Sequence, residues 1–416
     1  MRVLKAAVVG AGAMGGGIAQ VVTSSGLPVL LKDIDPRQLD AARTHIEGIY
    51  QRQVHRSKMT AGEMREKLDL IEYTLSYEGF DKVDLVIEAV PEDVEIKKRV
   101  LVRLDEVCRL DAIFATNTSA LSIAEMGMAS RRPHRMIGMH FFNPAHVMKL
   151  VEVIPGPETD RDTVDTVQQF ARTLGKIPIV VRECPGFLVN RLLMPYLNEA
   201  VNCLQEGAAT AAEMDAAMGP AGFGWPMGPF ALMDMLGLDV CHHIVEYLAS
   251  QYGERMQEAV LLKALFDAGR YGEKNAMGFY DYPGGERSAE VDVLIQSLRD
   301  QRLVTKTGLA FSADRLLACL LNEAFRCVEE GIADVDDVDL ACIAGLGMQV
   351  RKDADLAPMG PLEYADEVGL DVVLHRLKCL EAEFGRRFKP AAILECKVRA
   401  GDLGEKSRRG FKEYTT

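Results

Sequence analysis

The sequence predicts an α/β N-terminal domain with a doubly wound, mostly parallel sheet, followed by two homologous all-α domains. Three observations predict this. Short apolar runs alternate with helical patterns over residues 1–183, strand signals vanish from Cys184 onward, and the remaining chain repeats itself.

In the first part, LKAAVVG (4–10), PVLLKDI (28–34), VDLVIEAV (83–90), AIFATNT (112–118), RMIGMHFF (135–142) and KLVEVIPG (149–156) read as buried strands. Runs that are apolar on both faces, with helical patterns such as 14–26 and 95–108 between them, point to a parallel sheet covered on both sides. The stretch 36–75 carries many charges and no strand signal, and reads as one long helix followed by a second.

The repeat organises the rest. NRLLMPYLNEAVNCLQEG (190–207) recurs as DRLLACLLNEAFRCVEEG (314–331), MGPFALMDMLGLD (227–239) as MGPLEYADEVGLD (359–371), and AGRYGEKNAMGFYDY (268–282) as AGDLGEKSRRGFKEY (400–414). The offsets are 124, 132 and 132, so a single insertion of eight separates two collinear copies. The predicted domains are 1–183, 184–283, a linker over 284–305 marked by Pro and Gly, and 306–416. Met227-Gly228-Pro229 and Met359-Gly360-Pro361 read as helix terminators, and Gly-Glu-Lys (272–274, 404–406) also as helix ends. Gly278-Phe279 and Gly410-Phe411 read as closing staples.

The bulk properties narrow the function. With 416 residues, 48% apolar, the chain supports two or three cores. A formal charge of −13 argues against nucleic acid or membrane surfaces as partners. The N-terminus lacks the pattern of a signal peptide, and no run reaches the ~20 apolar residues of a membrane span. Nine scattered cysteines without CxxC suggest neither disulfides nor a zinc site, and favour a reducing, cytoplasmic setting.

Two constellations carry chemistry. Gly10-Ala11-Gly12-Ala13-Met14-Gly15 follows the first strand and opens a helix, the Rossmann-type dinucleotide signature. The first glycine makes the turn, the second admits a diphosphate, and the third lets helix and strand pack closely. Asp33 ends the second strand, 18 residues after Gly15. A carboxylate there binds ribose hydroxyls and repels a 2′-phosphate, so NAD is the expected cofactor; Asp35 is the alternative carboxylate. His140 stands near the carboxyl end of a sheet strand, where ligands of open α/β sheets bind. Imidazole, with an ordinary pKa of ~6.5, suits proton removal from an alcohol. Glu152 lies in an apolar run where an unpaired carboxylate is costly, and a turn around Asn143-Pro144 brings it to His140. On spacing alone, a structural histidine is the commoner outcome.

GAGAMG, VIEAVPED, NTSALSI, GMHFFNPAHVMKLVEV and CPGFLVNRLL, in this order and spacing, resemble the L-3-hydroxyacyl-CoA dehydrogenases along almost the whole chain. The doubled helical domain is similar to the dehydrogenase part of multifunctional fatty-acid oxidation proteins, without the hydratase module that precedes it there. The resemblance implies His140 as general base and Glu152 as its partner, with Ser119 and Asn190 on the substrate's hydroxyl and thioester region. It implies Glu88, Lys97 and Asn117 along the nicotinamide half of the NAD site, and a coenzyme A role for the 36–75 hairpin, with Lys58 on a phosphate or simply solvated.

Asp314 replaces Asn190 in the second copy, which lacks the CPGF lead-in, so that copy is not a second active site. It is expected to cover the face that would otherwise form a dimer, leaving a monomer or a weak homodimer. Functional coupling to hydratase and thiolase is a further expectation. Trp225 is expected as a core or surface anchor, with the acyl entrance as the alternative. Rival readings are a dehydrogenase of a free hydroxy acid such as L-gulonate, and a non-catalytic, crystallin-like NAD-binding protein.

Overall fold

The computed structural model describes residues 2–349 and 358–414, and the chain divides into two compact units, 1–183 and 184–416. In the first, eight strands form one sheet: β1 (Ala6–Val9), β2 (Val29–Lys32), β3 (Ile71–Thr74), β4 (Leu85–Glu88), β5 (Ile113–Thr116), β6 (Met136–Phe141), β7 (Leu150–Pro155) and β8 (Ile177–Val180). Their order is β3-β2-β1-β4-β5-β6-β7-β8. The first six lie parallel, β7 runs antiparallel to β6, and β8 follows β7 in parallel. Helices α1 (Ala13–Ser24), α2 (Pro36–His55), α3 (Ala61–Asp69), α4 (Val94–Val107), α5 (Ile123–Ala129) and α6 (Arg161–Thr173) connect them. The central strands are buried throughout, as expected when helices cover both faces.

The six expected strands are present. The stretch 36–75 holds the two expected helices, but its end is β3, contrary to the reading of no strand there. Only Ile71 of this edge strand is buried, so no apolar run betrays it. Strand β8 was also not expected; it lies at the opposite edge and contains Pro178, which weakens a strand signal.

The second unit is helical: α7 (Val189–Glu206), α8 (Ala211–Met218), α9 (Pro229–Leu236), α10 (Leu238–Tyr252), α11 (Val260–Asp267), α12 (Ala289–Asp300), α13 (Ala313–Glu329), α14 (Val335–Leu340), α15 (Pro361–Val368), α16 (Leu370–Phe384) and α17 (Ala392–Ala400). The Gly-Pro turns begin helices rather than end them: Pro229 and Pro361 occupy the first turns of α9 and α15. Proline suits both a helix start and the residues after a helix end, so the motif alone is ambiguous. Buried carboxylates decide it. Asp215 of α8 accepts from the backbone N–H groups of Phe230 and Ala231, and Asp339 of α14 from that of Leu362. A Cβ on Gly228 would fall 2.3 Å from the Asp215 Cα, so glycine is required. The Gly-Glu-Lys segments also open short 3₁₀ turns instead of ending helices. The Gly-Phe segments are pinned by a second buried aspartate in each copy: Asp234 accepts from the N–H groups of Phe279 and Tyr280, and Asp366 from those of Phe411 and Lys412.

Helices α7 and α13, the equivalent elements of the repeat, face one another through a reciprocal ion-pair network. Arg191 reaches Glu323 at 3.2 Å and Glu330 at 2.8 Å, while Arg315 reaches Glu199 at 2.6 Å and Glu206 at 2.9 Å. The offset of 124 converts each member of the first set into one of the second. Arg255 and Arg387, related by 132, likewise contact Glu323 and Glu199. Arg191 lies over the Tyr252 ring and Arg315 over Phe384, again an equivalent pair. A contact set that maps onto itself under exchange of copies is isologous, the pattern of a two-fold dimer within one chain.

Candidate active site

The carboxyl edge of the first unit's sheet is assembled from strand ends. Gly10 follows β1 with φ +101°, and a Cβ there would approach the Ala89 carbonyl oxygen to 2.5 Å. At Gly15 a Cβ would meet the Gly10 carbonyl oxygen at 1.8 Å, whereas at Gly12 it would meet nothing within 4 Å. The outer two glycines are therefore dictated by packing, and Gly12 leaves the open approach a diphosphate needs. Ala13 and Met14 begin α1, whose first N–H groups lack intrahelical acceptors and suit an anion.

Asp33 ends β2. Its carboxylate accepts from the Ala11 N–H at 2.7 Å and from the N–H groups of Ile34 and Asp35, which fixes it beside the glycine loop. Asp35 is committed elsewhere, capping α2 through the Arg37 N–H and pairing with the Arg37 guanidinium. The residues fit the adenosine half of NAD, with Asp33 free of the capping duty that holds Asp35.

His140 and Glu152 are direct cross-strand neighbours in the antiparallel β6–β7 pair. Nδ1 of His140 lies 2.6 Å from Oε2 of Glu152, and both are buried, at 5% and 0% exposure. The strand pairing brings the carboxylate opposite the imidazole, and the Phe142–Lys149 connection with its cis Asn143–Pro144 bond joins the strands. Lys176, at the start of β8, donates to the Ala145 and Met148 carbonyls within this connection. Burial lowers its pKa to about 8.

The other residues divide. Glu88 is fully buried and accepts from Lys97 at 2.9 Å, from the Thr116 hydroxyl at 2.6 Å and from the Val90 N–H. Glu88 and Lys97 thus brace the end of β4, and the Asn117 side chain accepts from the Phe141 N–H next to His140. Glu92, which sequence reasoning missed, accepts from the Thr118 hydroxyl and from the Ser119 N–H, and pairs with Lys97 at 3.3 Å. Its signal was a carboxylate just past a strand end, five residues before Lys97. Lys58 is exposed in the turn between α2 and α3. Asn190 belongs to the second unit, in the first turn of α7. Trp225 is core, 4% exposed and packed near the Tyr196 and Phe223 rings. No helix among the described residues is long and apolar enough to cross a membrane.

Comparison with known proteins gives one family for both units. Residues 5–184 match the 3-hydroxyacyl-CoA dehydrogenase NAD-binding domain, and residues 186–282 and 311–414 each match the 3-hydroxyacyl-CoA dehydrogenase C-terminal domain. A fatty acid oxidation complex subunit alpha from Acinetobacter baylyi is 40% identical over 376 residues, 88% of this chain but 51% of that protein. The chain therefore spans about half the length of this curated relative. The crystal structure of Escherichia coli 3-hydroxybutyryl-CoA dehydrogenase superposes with TM-score 0.84 at 28% identity, covering 96% of this chain and 99% of that one. The (S)-3-hydroxybutyryl-CoA dehydrogenase of Ralstonia eutropha is 37% identical with TM-score 0.65, and its near-complete length (99%) covers 67% of this chain.

Proposed function

The chain belongs to the 3-hydroxyacyl-CoA dehydrogenase family, with an NAD-binding domain, and from this premise we propose that it interconverts L-3-hydroxyacyl-CoA and 3-ketoacyl-CoA with His140 as its base. The observation that carries this reading is the buried His140–Glu152 pair at the carboxyl edge of the sheet. A carboxylate on Nδ1 keeps the proton there, leaving Nε2 with the lone pair that accepts the C3 hydroxyl proton. Glu152 offsets the charge that develops on the ring. NAD, when bound, supplies the hydride acceptor. Ser119 and Asn190 hold the substrate's polar end, and Glu92 holds Ser119 by its backbone. Glu88, Lys97 and Asn117 support the nicotinamide side, and Lys58 is available to a coenzyme A phosphate.

We read the helical unit as two copies, 184–283 and 306–416, with only the first serving catalysis. The second supplies the isologous partner, so the chain acts as a monomer. A cytoplasmic setting suits the nine scattered cysteines, which form no CxxC. Coupling to a hydratase that makes the 3-hydroxy thioester and a thiolase that consumes the 3-keto product is part of the proposal.

The test is NADH oxidation with acetoacetyl-CoA against free keto acids. Turnover is expected with the thioester alone; turnover of a sugar-derived keto acid alone would replace this reading with the free-acid one. A second expectation concerns the cofactor. Asp33→Ala should raise the KM for NADH by about tenfold or more, the value of a charge-assisted hydrogen bond, with a smaller change in kcat. Asp35→Ala should leave that KM within about threefold. Equal effects of the two would remove Asp33 from the ribose.

A further inference from the structure

The two helical copies form an internal control, because they share a fold and only the first carries Asn190. The outward face of α9 and α10 in the first copy presents Leu232, Met235, Leu236, Val240, Ile244 and Tyr247. Met235, Leu236, Val240 and Tyr247 are 48%, 38%, 44% and 36% exposed. At the equivalent positions α15 and α16 carry Tyr364, Glu367, Val368, Val372, Arg376 and Cys379. No large apolar side chain of α15 or α16 reaches comparable exposure among the described residues. The fold therefore does not need so exposed an apolar face here, and the second copy places Glu367 and Arg376 within it. Contiguous exposed apolar surface marks a binding site more often than an accident.

The repeat also locates this face. In the second copy Arg376 donates to Asp314 at 3.0 Å and lies close to Tyr364. Asp314, Arg376 and Tyr364 correspond to Asn190, Ile244 and Leu232, so these three positions adjoin in the first copy. A direct observation agrees. A Cβ built on Gly186 would fall 2.8 Å from Leu248 Cδ2 and 3.7 Å from the Asn190 Cβ, so α10 passes Asn190 one turn beyond Ile244. The apolar strip thus starts beside Asn190, continues ~6 Å along α10 to Val240, and extends onto Leu236 and Met235 at the end of α9.

We propose that this strip is the track for the acyl chain, making the protein selective for medium and long 3-hydroxyacyl thioesters over the four-carbon one. The inference rests on the reading of Asn190 as a thioester contact. Each methylene that reaches apolar surface raises kcat/KM by up to about fourfold.

The experiment measures kcat/KM for 3-ketoacyl-CoA substrates of four, eight, twelve and sixteen carbons. Wild type should favour twelve over four carbons by at least tenfold. Met235→Glu and Ile244→Arg, which copy the second domain, should each lower that ratio tenfold or more, and the milder Val240→Ala by about threefold, with unchanged melting temperatures. Indifference of the wild type to chain length, or an equal loss at every length in the variants, would overturn the track. That includes the case in which the strip docks a protein. Failure of the wild type on every thioester would instead refute the proposed reaction.

Discussion

His140→Gln should lower kcat for acetoacetyl-CoA reduction by about a thousandfold or more while the dissociation constant for NADH stays within about twofold. General acid–base catalysis contributes on the order of 10²–10⁴ in rate, and glutamine fills a similar space without offering a titratable nitrogen. In the proposed reading Gly10, Gly12, Gly15 and Asp33 hold the cofactor and the imidazole does not, so fluorescence titration with NADH should see little change. Glu152→Gln should cost about a hundredfold, because the amide no longer fixes the Nδ1 proton by charge. The double variant should be no slower than His140→Gln alone, since residues acting as a unit are not additive. Wild-type turnover in His140→Gln would discard the base. A double variant slower by the product of both factors would mean that Glu152 acts on substrate independently of His140.

How far the site was legible follows from the kind of signal each residue leaves. Gly10 and Gly15 are imposed by backbone clashes of 2.5 and 1.8 Å, and such constraints leave a short local motif. His140 and Glu152 are twelve residues apart in two apolar runs, and an antiparallel pair explains their meeting once the strands are recognised. Glu92 left only a carboxylate among several, because its partners, Thr118 and Ser119, come from the loop after the next strand. Strand β3 was lost because an edge strand with one buried residue has no apolar pattern. The Gly-Pro turns were misread because their caps, Asp215 and Asp339, lie 13 and 21 residues before Gly228 and Gly360. Tertiary partners decided all three.

The repeat carried more than it first yielded. Arg191, Glu199 and Glu206 recur as Arg315, Glu323 and Glu330, while other positions of the helix differ between the copies, for example Tyr196 and Leu320, or Pro195 and Cys319. Buried charged residues kept in both copies have to find opposite charges, and Arg191 and Arg315 find theirs on the helix of the other copy. The same comparison shows a difference between the copies: Asp314, at the position of Asn190, is tied to Arg376.

The reciprocal network predicts the largest change in stability. Glu199→Leu should lower the stability of the helical unit by about 3–5 kcal/mol, the usual cost of breaking a buried ion pair by removing one member. Glu199 is 1% exposed and serves both Arg315 and Arg387, which keep only Glu206 after the substitution. For a unit of this size each kcal/mol moves the melting temperature by roughly 2–4 °C, so calorimetry should record a fall of about 6–20 °C. Glu323→Leu, the equivalent change, should act in the same direction by leaving Arg191 and Arg255 with Glu330 alone. Glu199→Gln should cost less, since hydrogen bonds survive the loss of charge. In sedimentation the wild type should run as a single chain, because α13 already occupies the face of α7 that an isologous partner would take. An unchanged melting point for both leucine variants would mean the arginines are solvated instead of paired. An obligate dimer through residues 184–283 would show that the second copy does not cover that face.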